Sequence, residues 1–238
     1  MRPTQPVLQV KNLSARYGVM QVLWDVTLEI GSGERVVLLG SNGAGKTTLL
    51  KTLCGLVPAM HGTILLQQQP VDALRVDQRI RRGLAFVSEL GMIPTLTVEE
   101  NLVLGGYYLS NAIRHTRIAE MYQKFPDLWR QRRWAAGSLS GGQRKMLAVA
   151  KALIARPTLI IMDEPSSGLS PLLVQELIAI LRQLDDGSTA FFIAEQNIKF
   201  LDLATRAYVL EGGRLRFTGT VAELHADNTL RTAYFGLR

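Results

Sequence analysis

The sequence predicts an α/β fold: a mainly parallel sheet, an antiparallel β-subdomain at its N-terminal end, and an α-helical subdomain inserted in it. Three observations lead there. Short apolar runs recur along the chain, each flanked by loops and helical pattern, as strands buried on both faces require. They are Arg35–Leu39, Leu84–Val87, Leu159–Met162 and Ala190–Ala194. The segment ahead of them alternates apolar and polar residues instead, which is the pattern of half-buried antiparallel strands. Finally, about seventy residues of mostly helical pattern separate the second and third runs, too many for a simple crossover.

Taken in order, Val7–Val10 and Gln21–Ile30 are the alternating strands, with Leu23, Val26, Leu28 and Ile30 among polar neighbours. After Gly31-Ser32-Gly33 the first buried run leads into a glycine loop and a helical segment, a strand feeding a helix. The insert spans approximately 98–155, and the whole chain, 1–238, reads as one domain. Its last helix follows Ser140-Gly141-Gly142, with Met146, Leu147, Ala150, Leu153 and Ile154 on one face at spacings of three and four. Another helix starts at Ser170-Pro171, a capping serine followed by proline in the first turn, and is expected to bury Leu173, Leu177, Ile180, Leu181 and Leu184. Tyr208–Phe217 reads as a hairpin turning at Gly212-Gly213.

Composition narrows the function classes. Of 238 residues, 47% are hydrophobic and 20% charged, ordinary globular values that allow a substantial core. No apolar run reaches the length of a membrane span, and Met1–Lys11 lacks the apolar stretch of a signal peptide, so a cytosolic chain with a peripheral membrane role is expected. The single Cys54 has no partner for a disulfide and no Cys/His cluster beside it, and reads as a small core residue. The net charge of +7 invites a nucleic-acid reading. Against it, Arg79, Arg81, Arg82, Arg114, Arg117, Arg130, Arg132 and Arg133 are scattered, without aromatics at stacking spacing, so no nucleic-acid partner is expected. A basic skew equally suits work beside an anionic membrane leaflet.

Three motifs carry chemistry. Gly40-Ser41-Asn42-Gly43-Ala44-Gly45-Lys46-Thr47 matches a phosphate-binding loop and sits between a buried strand and a helix, where that loop belongs. Glycines let successive N–H groups turn inward as an anion nest at the positive end of the helix dipole. Lys46 adds charge for β- and γ-phosphates, and the Thr47 hydroxyl is placed to ligate Mg²⁺. Asp163-Glu164 ends a buried strand at the sheet edge where α/β folds keep their sites. Asp163 would hold Mg²⁺, and Glu164 would polarise an attacking water as general base. Leu139-Ser140-Gly141-Gly142-Gln143 precedes an amphipathic helix and offers a second phosphate cap. Two phosphate cradles far apart in sequence suggest a γ-phosphate held between two subunits.

Together, and in this order, the three motifs resemble the nucleotide-binding domain of ABC transporters, over nearly the whole chain. The resemblance implies a P-loop NTPase core, ATP as the ligand, and head-to-tail pairing in which Leu139–Gln143 of one subunit covers the ATP held by Gly40–Thr48 of the other. It also implies that Tyr17 stacks on adenine; taken alone, Tyr17 reads as a strand-end aromatic packing on the core. Three positions depart from the common family pattern. Ser88-Glu89 stands where a glutamine is usual, Glu195-Gln196-Asn197 where a histidine is usual, and Ser170 where an aspartate is usual. Glu89 thereby joins Thr47 and Asp163 as a metal contact, and Gln196 meets the γ-phosphate as a neutral hydrogen-bonder. His61, His115 and His225 do not align with the switch position.

These departures resemble the shorter Liv-type ATPase subunits of branched-chain, or hydrophobic, amino-acid importers. Such proteins similarly carry Thr97-Val98-Glu99-Glu100-Asn101-Leu102 and a terminus like Ala233-Tyr234-Phe235-Gly236. The stretch Leu90-Gly91-Met92-Ile93-Pro94, in the region expected to meet the membrane partner, differs from their usual Gly-Arg. The resemblance implies as partners a second ABC ATPase subunit, self or paralogue, two integral-membrane permease subunits and, indirectly, a solute-binding protein. The location implied is the cytoplasmic face of the inner membrane. The alternatives are the same cassette serving urea or amide import or lipid export, a soluble ABC ATPase of DNA repair or translation, and a small-molecule kinase that would leave Ser140–Gln143 without a purpose.

Overall fold

The structure is a computed structural model and describes residues 5–88, 91–184 and 187–227. The alternating N-terminal segment forms the long antiparallel pair β1 (Pro6–Tyr17) and β2 (Met20–Gly31). Alternation alone puts Val26, Leu28 and Ile30 on one face of β2. Keeping Leu23 on that same face takes an irregularity: the register shifts there, Asp25 adopts φ +50°, and its N–H is satisfied by Ser14 Oγ at 3.2 Å. A third strand, β4 (Ala59–Leu66), pairs with β1, and the short β5 (Gln69–Pro70) completes a sheet of order β2-β1-β4-β5.

The buried runs form the second sheet, together with the C-terminal hairpin. Its order is β10 (Arg214–Thr220), β9 (Arg206–Glu211), β3 (Arg35–Leu39), β8 (Ala190–Glu195), β7 (Leu159–Asp163) and β6 (Leu84–Val87). The five strands from β9 to β6 run parallel, and β10 returns antiparallel through Gly212-Gly213. Because side chains alternate, one strand feeds two cores. In β3, Val36 and Leu38 face the antiparallel sheet and α1 (Lys46–Cys54), whereas Val37 and Leu39 face the helices of the insert side. Cys54 lies buried in the first of these cores. The two sheets are also tied by polar contacts: Tyr208 Oη donates to Glu29 O at 2.9 Å, and Trp24 N–H donates to Gly213 O at 2.9 Å.

The insert folds as α3 (Val98–Gly105), α4 (Asn111–Lys124), α5 (Pro126–Arg130) and α6 (Gly141–Leu153); α2 (Val76–Arg81) lies outside it, ahead of β6. Thr97 and Glu100 close a capping box at the start of α3. Asn101 is fully buried because its amide accepts from Ile93 N and donates to the carbonyls of Ile93 and Thr97, pinning the approach segment to the helix. The face of α7 (Pro171–Gln183) is rotated from expectation: Val174 and Ile178 are buried with Leu177 and Leu181, while Leu173 and Ile180 are only partly covered. In α6, Ala148 and Val149 join Leu147 and Ala150 in the core, and Met146 and Leu153 lie at its margin. The last element among the described residues is α8 (Val221–Ala226), and the stretch Ala233–Gly236 lies outside them. Among the described residues, no helix is long and apolar enough to cross a membrane.

Candidate active site

Strand order decides which side chains meet. Because β3, β8, β7 and β6 are consecutive neighbours, the loops leaving their C-terminal ends share one edge of the sheet. The phosphate loop leaves β3, Glu195-Gln196 leaves β8, Asp163-Glu164 leaves β7 and Ser88 leaves β6. Glu89, assigned to the metal from sequence, lies outside the described residues.

The loop after β3 needs its glycines. Gly45 precedes α1 at φ +104°, Gly43 stands at φ +79°, and a Cβ at Gly40 would fall 2.6 Å from Leu210 O. The N-terminus of α1 has no side-chain cap, so its amides remain directed at the loop. The hairpin β9–β10 braces the loop from outside the sheet edge, Gly213 N–H donating to Ala44 O at 2.9 Å. Ser41, Asn42 and Gly43 are exposed at the loop tip, while Ala44 and Thr48 are buried, Thr48 within α1.

Lys46 is 4% exposed and fully engaged: Nζ donates to Gly40 O at 2.8 Å and Ser41 O at 3.1 Å, and pairs with Glu164 Oε1 at 3.1 Å. Thr47 Oγ1 donates to Asp163 Oδ1 at 3.1 Å. Burial pushes the Asp163 carboxyl upward; the Thr47 hydroxyl pulls it back, and neighbouring Glu164 adds to the rise. Glu164 holds φ +44°, a left-handed backbone that costs a non-glycine residue energy, with its N–H donating to Ala194 O at 2.9 Å. Gln196 Nε2 donates to Glu164 Oε1 at 3.2 Å and to Asn42 Oδ1. Asn42, Gln196, Glu164 and Lys46 thus form one contact network, and the Thr47–Asp163 pair adjoins it along the chain.

The other predicted residues lie on separate elements. Tyr17 ends β1, 48% exposed beside the fully exposed Val19, with its ring not packed into the core. Ser140 caps α6, its Oγ accepting from Gln143 N–H at 3.2 Å while Gln143 Oε1 accepts from Ser140 N–H at 3.0 Å. Leu139 is buried at 3% exposure, and Gly142 packs so close to Leu173 that a Cβ would come within 2.8 Å of Cδ2. Gly141 lies beside Leu169, where a Cβ would make ordinary contact at 3.5 Å.

Two contributors escaped the sequence reading. Glu195 appeared there only as part of a departure, yet its carboxylate is buried and accepts from Ser166 N and Oγ, both at 2.8 Å. Gly213 was read as a turn residue and also holds the phosphate loop. A charged residue inside the otherwise apolar run Ala190–Ala194 extended by one was the available signal for the first; nothing local signals the second.

A glycine loop with left-handed turns at Gly43 and Gly45, a buried lysine and an all-oxygen Thr47–Asp163 pair form a set suited to a nucleoside triphosphate with a hard divalent cation. The comparisons agree. Residues 23–167 match the profile of the family described as ABC transporter. The high-affinity branched-chain amino acid transport ATP-binding protein BraG of Pseudomonas aeruginosa is 39% identical over 97% of this chain and 100% of its own. The probable branched-chain amino acid transport ATP-binding protein LivF of Archaeoglobus fulgidus is 34% identical over 92% and 94%. The lipopolysaccharide export system ATP-binding protein LptB of Escherichia coli K12 is 34% identical over 96% and 97%. Among solved structures, a nucleotide-free ATP-binding cassette from an ABC transporter superposes with TM-score 0.85 at 22% identity, covering 97% of this chain and 99% of its own. The ATP-binding subunit of an ABC transporter gives 0.80 at 29%, covering 97% and 96%. The chain therefore belongs to the ABC transporter family and is an ATPase of that family.

Proposed function

We propose that the chain hydrolyses ATP to drive an importer of branched-chain or other hydrophobic amino acids, working as a single ABC ATPase domain at the cytoplasmic face of the membrane. The observation that carries the substrate class is the likeness to BraG, which extends over 97% of this chain and the whole of the relative. LptB supports a second reading, lipid export, at lower identity over a similar span.

Within the chain the division of labour follows from the contacts. Lys46 now neutralises Glu164; turned to the phosphates of ATP, it releases Oε1 to take a proton from the attacking water. Gln196, donating to the same oxygen, steadies that carboxylate without carrying charge. Thr47 and Asp163 would hold Mg²⁺, with Glu89 as a further contact, and the ion supplies charge neutralisation at the phosphates. Tyr17, exposed at the end of β1, is available to stack on adenine. Ser140, Gly141, Gly142 and Gln143 present a helix N-terminus to the ATP of a second ATPase subunit, with Leu139 anchoring the turn in the core.

The permease subunits are proposed to meet the region of Leu90–Pro94. A cavity of about 350 Å³ opens beside Gly91, lined also by Leu104, Tyr107, Tyr108 and Lys151, and Tyr107 is 71% exposed. Apolar and aromatic lining suits a helix from a membrane protein. The test is mild-detergent capture of the Glu164→Gln chain with ATP from its native membranes. Recovery of two integral membrane proteins, a second ATPase and a solute-binding protein that takes hydrophobic amino acids supports the reading. Recovery with a lipid-export assembly supports the second, and recovery of soluble proteins or nucleic acid alone contradicts both.

A further inference from the structure

Among the described residues only two carboxylates are buried, Asp163 and Glu195, and the chemistry above uses only the first. Glu195 is 2% exposed at the C-terminal end of β8, opposite Leu39 of β3. Its two oxygens accept four hydrogen bonds: from Ser166 N at 2.8 Å, Ser166 Oγ at 2.8 Å, Gln196 N at 3.2 Å and Asn197 N at 3.3 Å. A carboxylate out of water is tolerated only when its lone pairs are met, and here the donors come from two different loops. Ser166 lies two residues beyond Glu164; Gln196 and Asn197 leave β8. The side chain therefore joins the segment carrying the general base to the backbone of the residue whose amide rests on that base.

We infer that Glu195 is a positioning residue for hydrolysis, a buried bracket that fixes the Gln196 amide against Glu164 by tying the loop after β7 to the end of β8. The inference rests on the roles given above to Gln196 and Glu164. The chemistry of the bracket is specific to a carboxylate. Oε1 serves Ser166 N–H, and Oε2 serves both following amides and the Ser166 hydroxyl. An amide in its place must turn an NH₂ toward at least one backbone N–H, donor against donor. Aspartate keeps the charge but is one methylene short. Burial pushes the Glu195 carboxyl upward, against the pull of the four donors.

The test is steady-state and single-turnover ATP hydrolysis by the assembled membrane complex carrying Glu195→Gln, Gln196→Ala, or both. Glu195→Gln is expected to lower kcat by about tenfold or more with the KM for ATP within about twofold of wild type, and the double variant to be no slower than Gln196→Ala alone. Losses that multiply in the double variant, or an unchanged kcat for Glu195→Gln beside a slow Gln196→Ala, overturn the bracket and leave the role of Gln196 standing. A Gln196→Ala enzyme at wild-type rate overturns the role of Gln196 and the bracket with it. Should Glu195→Gln not fold, Ser166→Ala removes one of the four bonds. It is expected to lower kcat by about two- to threefold, an effect that disappears in the Gln196→Ala background and whose persistence there contradicts the inference.

Discussion

Two helix N-termini in this chain are built from glycine-rich sequence, and they are finished in opposite ways. That of α1 has no side-chain cap: Gly45 takes a left-handed conformation, Lys46 folds back over the loop, and the first amides are left for a ligand. That of α6 is closed by its own residues, with Ser140 and Gln143 exchanging hydrogen bonds in a capping box. The first is a cradle braced on all sides by one chain, through Leu210, Gly213, Asp163 and Glu164. The second is an exposed end whose capping box takes the Ser140 and Gln143 amides and leaves those of Gly141 and Gly142 for a partner. A helix terminus with part of its amides taken and no lysine beside it holds a free anion less well than the cradle does, but it can complete a site whose other half brings the phosphate. On the function proposed above, the contrast predicts that one chain binds nucleotide well and turns it over poorly without a second subunit.

The largest effect that sharpens this contrast is expected at the cradle. Glu164→Gln should keep ATP binding and slow hydrolysis in the complex by about a thousandfold, the scale of a lost general base, measured as single-turnover kcat. Lys46→Ala removes the charged donor itself; ATP affinity of the isolated chain, read by equilibrium titration, should fall by about 10- to 100-fold. Gly213→Ala forces a Cβ to within 1.8 Å of Val22 O at φ +76°, so the brace on the phosphate loop has to move. A loss of about 1–3 kcal/mol in denaturant unfolding, with weaker ATP binding, is expected. The smallest effects compare two caps. Ser140→Ala and Thr97→Ala should each cost about 1 kcal/mol of stability, and only Ser140→Ala should also slow hydrolysis by the complex.

How much of this was legible in the sequence depended on whether the cause was local. The buried strands declared themselves by apolar runs, and Arg35–Leu39, Leu84–Val87 and Ala190–Ala194 fall on β3, β6 and β8 with at most one residue of difference. The hairpin at Gly212-Gly213 and the cap at Ser170 were equally local. The strand Ala59–Leu66 was not legible, because His61 and Gly62 break its pattern and its reason is tertiary: Gly62, at φ +100°, lies against the Lys11 and Asn12 carbonyls of β1. The face of α7 was ambiguous where Leu172, Leu173 and Val174 follow one another, and packing chose Val174 while leaving Leu172 65% exposed. For the site, each motif could be read, but the Lys46–Glu164 pair and the four donors around Glu195 depend on strand order, which no local pattern states.

The most direct test of the split site separates binding from turnover in Ser140→Arg, which places a long charged side chain at the free end of α6. The isolated chain should bind ATP with an affinity within about twofold of wild type, while the assembled complex hydrolyses it at least about 100-fold more slowly, having lost the donors that act only in the transition state. Undiminished hydrolysis in the complex, or loss of ATP binding by the isolated chain, would contradict the account.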